Sequence, residues 1–334
     1  MGTCSRLLTD PSRTNRYGIR TNSSFMVQFW YPAEARAGVL PARYIDGKIA
    51  AIWAPAAAGL SYDANAALYQ SAVGRALPEV PVASGQEAFP IVIFSHGYQE
   101  VRTIETDVME TLASHGFIAV AMDHSDAWVS VLPDGRIVRG NAPELPVSVA
   151  LNTEFLIGRT RDIRFVLDEL ARLNQQDTLL GGRLDLGQIG ICGHSFGGGV
   201  TADACAADNR IKAGFCLDGG GHTNLLALEI HQPFLISIGD DSNPIMIPNR
   251  IAFRALFDRL TQAVYWLPLT HAAHYDFVEP PWFVTLPNPV QIRTATIMRR
   301  YVLSFFNKYL KGIDDHLLDG PPGEYPEIRG FLKK

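Results

Sequence analysis

The chain has 334 residues, with 29 basic and 34 acidic side chains and a formal net charge of −5. With 47 % hydrophobic and 19 % charged residues, its make-up is that of a globular chain and not of a disordered one. No basic run exists to displace phosphate counterions, which argues against nucleic acid as a partner.

Residues 25–31 read as a strand that Pro32 stops. Short apolar runs follow at 91–95 and 117–122, then at 188–193, 211–217, 234–238 and 263–267. Most lack period-two alternation, as expected of parallel strands covered on both faces. Helical patterns lie between them, at 101–115, 152–174, 198–207, 249–260 and 291–310. The first ends at Gly116, a plausible left-handed cap. The second places Phe155, Leu156, Phe165, Val166, Leu167, Leu170 and Leu173 on one broad face. This alternation predicts an α/β fold: a mostly parallel central sheet with helices on both faces.

The rhythm runs from about 90 to 311 without a linker, so residues 1–334 are read as one domain. Two segments interrupt it, at about 41–88 and 125–149. Segments this long act as functional walls or lids, or are plain surface additions. The most apolar stretch, 49–60, is shorter than the roughly 20 residues of a membrane span and is broken by Pro55. It suits either a buried wall or a rim resting on a lipid surface.

Cys4, Cys192, Cys205 and Cys216 are too few for a disulfide framework and form no Cys-x-x-Cys pair. Cys192 and Cys216 lie in apolar runs and read as small buried hydrophobes. Asp10 and Pro11 stand where a secretory signal would place its apolar core. Free cysteines lean toward a reducing interior, and the compartment stays open between cytoplasm and secretion.

Gly193-His194-Ser195-Phe196-Gly197 matches Gly-x-Ser-x-Gly. An apolar run enters this pattern and a small-residue helix leaves it, as a nucleophile elbow requires. The serine then sits on a sharp turn with its Oγ above the sheet, and side chains at Gly193 and Gly197 would collide with the neighbouring strand and helix. Ser95-His96-Gly97-Tyr98 follows the run 91–94 and is placed to supply an oxyanion hole. The expected donors are the N–H groups of Tyr98 and Phe196. His96 is expected to brace that loop, and Ser114-His115-Gly116 to end a helix.

The base is sought among histidines after the late strand, where His271 and His274 both stand. Two histidines without a third ligand cluster do not make a zinc site, so no metal or other cofactor is expected. The acid is Asp218 after the run 211–217, or Asp240 and its neighbour Asp241 after 234–238; spacing leaves these open.

Phe94-Ser95-His96-Gly97, Ala113-Ser114-His115-Gly116-Phe117, Gly193-His194-Ser195-Phe196-Gly197-Gly198 and the segment from Ala213 to Asp218 together resemble the platelet-activating factor acetylhydrolase family. That family is a branch of the α/β-hydrolase superfamily near the dienelactone-hydrolase-like esterases. The resemblance spans roughly 25–311 and is strongest from 90 to 220. It implies the acid at Leu217-Asp218 and the base at His274, which precedes Tyr275-Asp276-Phe277. Asp240 remains the alternative acid. It further implies a metal-free serine esterase that releases short or oxidised acyl chains from phospholipids, or a general carboxylesterase. Such an enzyme works through a Ser–His–Asp triad and an acyl-enzyme, with activity rising as the histidine loses its proton. Trp128, Trp282 and Phe283 are candidate pocket walls. Rival readings are a cutinase-like or polyester hydrolase, and a binding protein on a hydrolase scaffold. Acyl length and oligomeric state are not set by the sequence.

Overall fold

A ten-stranded sheet organises the chain. The strands across its middle lie where the apolar runs do, while one strand at one edge and two at the other lie outside them. The computed structural model describes residues 1–13, 23–34, 36–52, 62–140, 149–221, 225–240, 246–278 and 288–334. In chain order the elements are β1 (Gly2–Asp10), β2 (Ser23–Tyr31), α1 (Gly47–Ala50), α2 (Tyr62–Ser71), β3 (Leu77–Pro78), β4 (Phe89–Ser95) and α3 (Thr106–Ser114). Next come β5 (Ile118–Met122), β6 (Val129–Val131), β7 (Ile137–Arg139), α4 (Val149–Gln176), β8 (Leu184–His194) and α5 (Phe196–Ala207). The chain closes with β9 (Ile211–Leu217), β10 (Phe234–Gly239), α6 (Met246–Arg259), β11 (Val264–Leu269), α7 (Pro289–Lys311) and β12 (Leu332–Lys333).

The sheet order is β12-β11-β10-β9-β8-β4-β5-β2-β1-β3. From β5 through β4, β8, β9 and β10 to β11 every neighbour is parallel. The β1, β2 and β12 pairings with β2, β5 and β11 are antiparallel. Successive residues of β4 face opposite sides. Ile91 and Ile93 join a core with Ile163 and Leu170 of α4, Val200 of α5 and Phe253 of α6. Val92 and Phe94 join one with Val108 of α3 and Ile297 and Tyr301 of α7. Both faces are therefore covered, and that is why β4 reads as a continuous apolar run.

Several boundaries differ from the sequence reading for local reasons. Helix α3 begins at Thr106, because residues 101–105 turn instead and Arg102 N–H is drawn to Asp123 Oδ1 at 2.8 Å. Helix α7 is capped by Asn288, whose side chain accepts from Val290 N–H at 3.0 Å, and ends at Gly312 with φ of 69°. Strand β1 was not anticipated. Its middle is polar, and its register from Gly2↔Tyr31 to Asp10↔Ser23 comes from pairing with β2. Arg6, within it, is held by Asp177 at 2.7 Å.

The two interrupting segments meet each other. Tyr44, Ile45, Ile49 and Tyr69 of the first share an apolar cluster with Val129 and Val131 of the second and with Val101. Ile49 and Ala50, at the start of the apolar stretch 49–60, are buried there. Residues 53–61 lie outside the described residues. No described helix is long and apolar enough to cross a membrane.

Candidate active site

Ser195 stands between the last residue of β8 and the first of α5, at φ 55° and ψ −123°. This is a costly conformation for a residue with a side chain, and it persists because its surroundings over-determine it. Ser195 N–H donates to Leu217 O at 3.0 Å, and its carbonyl accepts from Gly198 N at 2.9 Å and Gly220 N at 2.8 Å. A Cβ on Gly193 would overlap Gly197 O, and one on Gly197 would overlap Ser95 O. The two flanking glycines are thus the condition for strand, elbow and the loop after β4 to lie this close.

His274 opens a single 3₁₀ turn, His274–Phe277, just after β11. Its Nε2 lies 2.8 Å from Ser195 Oγ and its Nδ1 lies 2.6 Å from Asp218 Oδ2. Asp218 follows β9, is fully buried, and has φ of 41°. Its other carboxylate oxygen accepts Gly239 N–H at 2.9 Å, so both oxygens are engaged. Asp240 lies elsewhere. It is exposed, and its Oδ1 accepts the backbone N–H of His271 at 2.6 Å. The structure therefore gathers Ser195, His274 and Asp218, and leaves Asp240 and His271 bonded to each other outside that group. Asp241 lies outside the described residues.

The loop after β4 is fixed from several sides. His96 Nε2 accepts His124 N–H at 3.2 Å, so the ring proton is on Nδ1, which donates to Gly97 O at 2.8 Å. Burial, with Arg159 nearby, pushes the His96 pKa down to about 4, so the ring is neutral near pH 7. Gly97 N–H donates to Glu100 Oε2 at 2.6 Å. The Tyr98 ring meets Phe155 and Phe196 edge-on, each with centroids 6.0 Å apart. Phe196 is the first residue of α5, so its N–H belongs to the positive end of that helix.

Sequence reasoning missed the groups behind these. His194 is fully buried; its Nε2 donates to His274 O at 3.1 Å and its Nδ1 lies 3.5 Å from Glu100 Oε1. Burial opposes its charged form, but Glu100 and the His274 carbonyl outweigh burial and raise its pKa. One glutamate thus faces both the loop after β4 and the histidine behind His274. The x position of Gly-x-Ser was the one available signal, since Glu100 has no motif of its own. A second Ser–His–Asp arrangement is also present. Ser95 Oγ lies 2.9 Å from His124 Nε2, whose Nδ1 lies 3.1 Å from Asp162 Oδ2. All three residues are buried, and Arg13 also pairs with Asp162.

Trp128 packs half-buried against the cluster shared by the two interrupting segments, and its N–H donates to Glu100 O at 3.1 Å. Trp282 and Phe283 lie outside the described residues. His115 caps α3, followed by Gly116 at φ 80°. All four cysteines are buried and unpaired.

Residues 20–132, about a third of the chain, match the family model of platelet-activating factor acetylhydrolase, isoform II. A probable 1-alkyl-2-acetylglycerophosphocholine esterase of Arthroderma benhamiae is 25 % identical over 72 % of this chain and 65 % of its own length. Platelet-activating factor acetylhydrolase of Cavia porcellus is 25 % identical over 70 % of this chain and 60 % of its own. The match therefore spans somewhat less than two thirds of either relative. A solved ferulic acid esterase from Streptomyces cinnamoneus superposes with a TM-score of 0.81 at 25 % identity, covering 99 % of this chain and 95 % of that one. The chain is an α/β hydrolase by fold, and the proteins it resembles in sequence are the platelet-activating factor acetylhydrolases.

Proposed function

We propose that the protein is a serine hydrolase of carboxylic esters, with Ser195 as nucleophile, His274 as base and Asp218 as acid. The observation that carries this reading is the continuous relay from Asp218 Oδ2 through both His274 nitrogens to Ser195 Oγ, at 2.6 and 2.8 Å. His274 Nε2 takes the hydroxyl proton as Oγ attacks the ester carbonyl, and the imidazolium so formed is stabilised by the buried carboxylate. The N–H groups of Tyr98 and Phe196 receive the developing oxyanion. His274 then returns the proton to the leaving alcohol, and water cleaves the acyl-enzyme by the same route. The continuous ten-stranded sheet, which spans the chain from β1 to β12, supports reading the chain as one domain.

The substrate class follows the sequence relatives: a short acyl ester, including the acetyl ester of an alkyl glycerophosphocholine. A second reading, an aryl-acid ester, is favoured by the near full-length likeness to the ferulic acid esterase. Turnover of a short-chain glycerophosphocholine, methyl ferulate and a p-nitrophenyl ester series separates the two. Preference for acetyl to butyryl chains with slow ferulate supports the first. Faster ferulate turnover selects the second, and no turnover of any ester by protein that binds no serine probe overturns both.

A further inference from the structure

Arg159 lies in the middle of α4 with 1 % of its side chain exposed, far in sequence from every motif of the site. Its guanidinium grips Asp126 with Nε to Oδ1 at 2.8 Å and Nη2 to Oδ2 at 2.9 Å. Asp126 is equally buried and begins the second interrupting segment. A pair made only for stability needs nothing beyond this, and a buried ion pair is no more stabilising than an apolar pair of the same shape. Arg159 does more. Nη1 donates to His96 O, Nη2 donates to Gly97 O at 3.1 Å, and its central carbon stands 4.9 Å from the centre of the Phe196 ring.

The Gly97 carbonyl and the Tyr98 N–H belong to one peptide unit. In a trans peptide the two point in opposite directions. A cation on the carbonyl side therefore sets where the N–H points. It also polarises the amide, which makes the N–H a stronger donor. His96 Nδ1 donates to the same carbonyl, so two donors converge on it. The other expected donor is the N–H of Phe196, whose ring lies under the same guanidinium. One side chain thus touches the peptide of the first donor and the residue of the second. We propose that Arg159, aimed by Asp126, is a positioning residue that holds the two halves of the oxyanion hole in register. This gives part of the second interrupting segment a task, because that segment supplies the carboxylate that orients the fork. It rests on the esterase reading above.

Lysine cannot replace this arrangement, because an ammonium is a point charge without the planar fork that serves a carboxylate and two carbonyls together. The test compares wild type with Arg159→Lys and with the double variant Arg159→Met/Asp126→Leu, which removes both buried charges at once and remains foldable if the lysine variant is not. Active sites are counted with a fluorophosphonate, and kcat and KM are measured per counted site on p-nitrophenyl butyrate. Phenylboronic acid, whose serine adduct is tetrahedral, probes the hole directly. Both variants are expected to lose about 10- to 100-fold in kcat, below the 10²–10³ typical of a deleted donor. KM should stay within about twofold, boronate affinity should fall in step with kcat, and the pH midpoint should not move. Wild-type kcat per counted site with unchanged boronate affinity overturns the inference alone. Full hydrolysis by Ser195→Ala overturns the esterase reading beneath it.

Discussion

The carboxylate of Asp218 meets His274 Nδ1 at 2.6 Å, while that of Asp240, one strand further along, is bonded to the His271 backbone at the same distance. The two acids that spacing left open are thus separated by what they bond. Asp218→Asn, which leaves the shape and removes the charge, should lower kcat by about 10⁴, as loss of the correct imidazole tautomer does elsewhere. Asp240→Asn should change kcat by less than about threefold, because an exposed carboxylate on a loop N–H contributes little. Steady-state kinetics per counted active site checks both. A larger loss in Asp240→Asn would move the acid to that strand.

Much of this site was legible because its parts are local. Gly193 to Gly197 form one elbow, and their residue types follow from backbone clashes within it. Tyr98 and His274 each follow a strand whose apolar run marks it. What was not legible depends on contacts distant in sequence. Arg159 lies in a helix whose pattern reports only its apolar face. Glu100 and Asp126 are single acids in polar stretches. Strand β1 has a polar middle and becomes a strand through its ladder with β2. Spacing alone left Asp218 and Asp240 open and only the resemblance pointed to Asp218; in the fold the N–H groups of Gly239 and His271 each hold one of the two carboxylates.

Ser95, His124 and Asp162 repeat the residue types and much of the geometry of the proposed triad, but all three are buried. A serine that no ester can reach does not turn over. Ser95→Ala should therefore keep full fluorophosphonate labelling. It should lose about 1–3 kcal/mol of stability by leaving the His124 ring nitrogen without its partner. Denaturant unfolding together with labelling stoichiometry measures both, and loss of labelling in a folded variant would give Ser95 a chemical role.

His96 gives the fold a pH dependence. Its folded pKa is about 4, against about 6.5 for an unfolded histidine. Between those values the unfolded chain holds the extra proton, so stability rises with pH across this window and falls on acidification. The full effect is about 3 kcal/mol at about 1.4 kcal/mol per unit. His124, also held below its usual range by burial, adds in the same direction; the Asp203 carboxyl, pushed up to about 7 by burial, opposes it across the same window, and the raised His194 pKa acts only above about pH 6.5. Urea midpoints of wild type and His96→Asn should differ by an amount that grows from about pH 4 to about pH 7, as the variant lacks the stability His96 gains with rising pH. A difference that does not change with pH would show that His96 does not titrate with the fold.

Two glycine substitutions should act with opposite sign. Gly197→Ala places a Cβ inside Ser95 O, a backbone atom held by the sheet, and should cost about 3 kcal/mol and most of the activity. Gly158→Ala, in α4 with nothing within 4 Å of the new carbon, should gain about 0.5–1 kcal/mol. Thermal melts of the two variants measure both effects. Equal melting temperatures would mean the elbow relaxes where the close approach says it cannot.

Covalent labelling identifies the nucleophile outright. Wild-type protein treated with a fluorophosphonate and digested should carry the phosphonyl group on Ser195 at one per chain, with ester hydrolysis lost in proportion. Ser195→Ala should neither label nor hydrolyse p-nitrophenyl butyrate above background. Labelling at another residue, or undiminished hydrolysis by the folded alanine variant, would place the nucleophile away from Ser195.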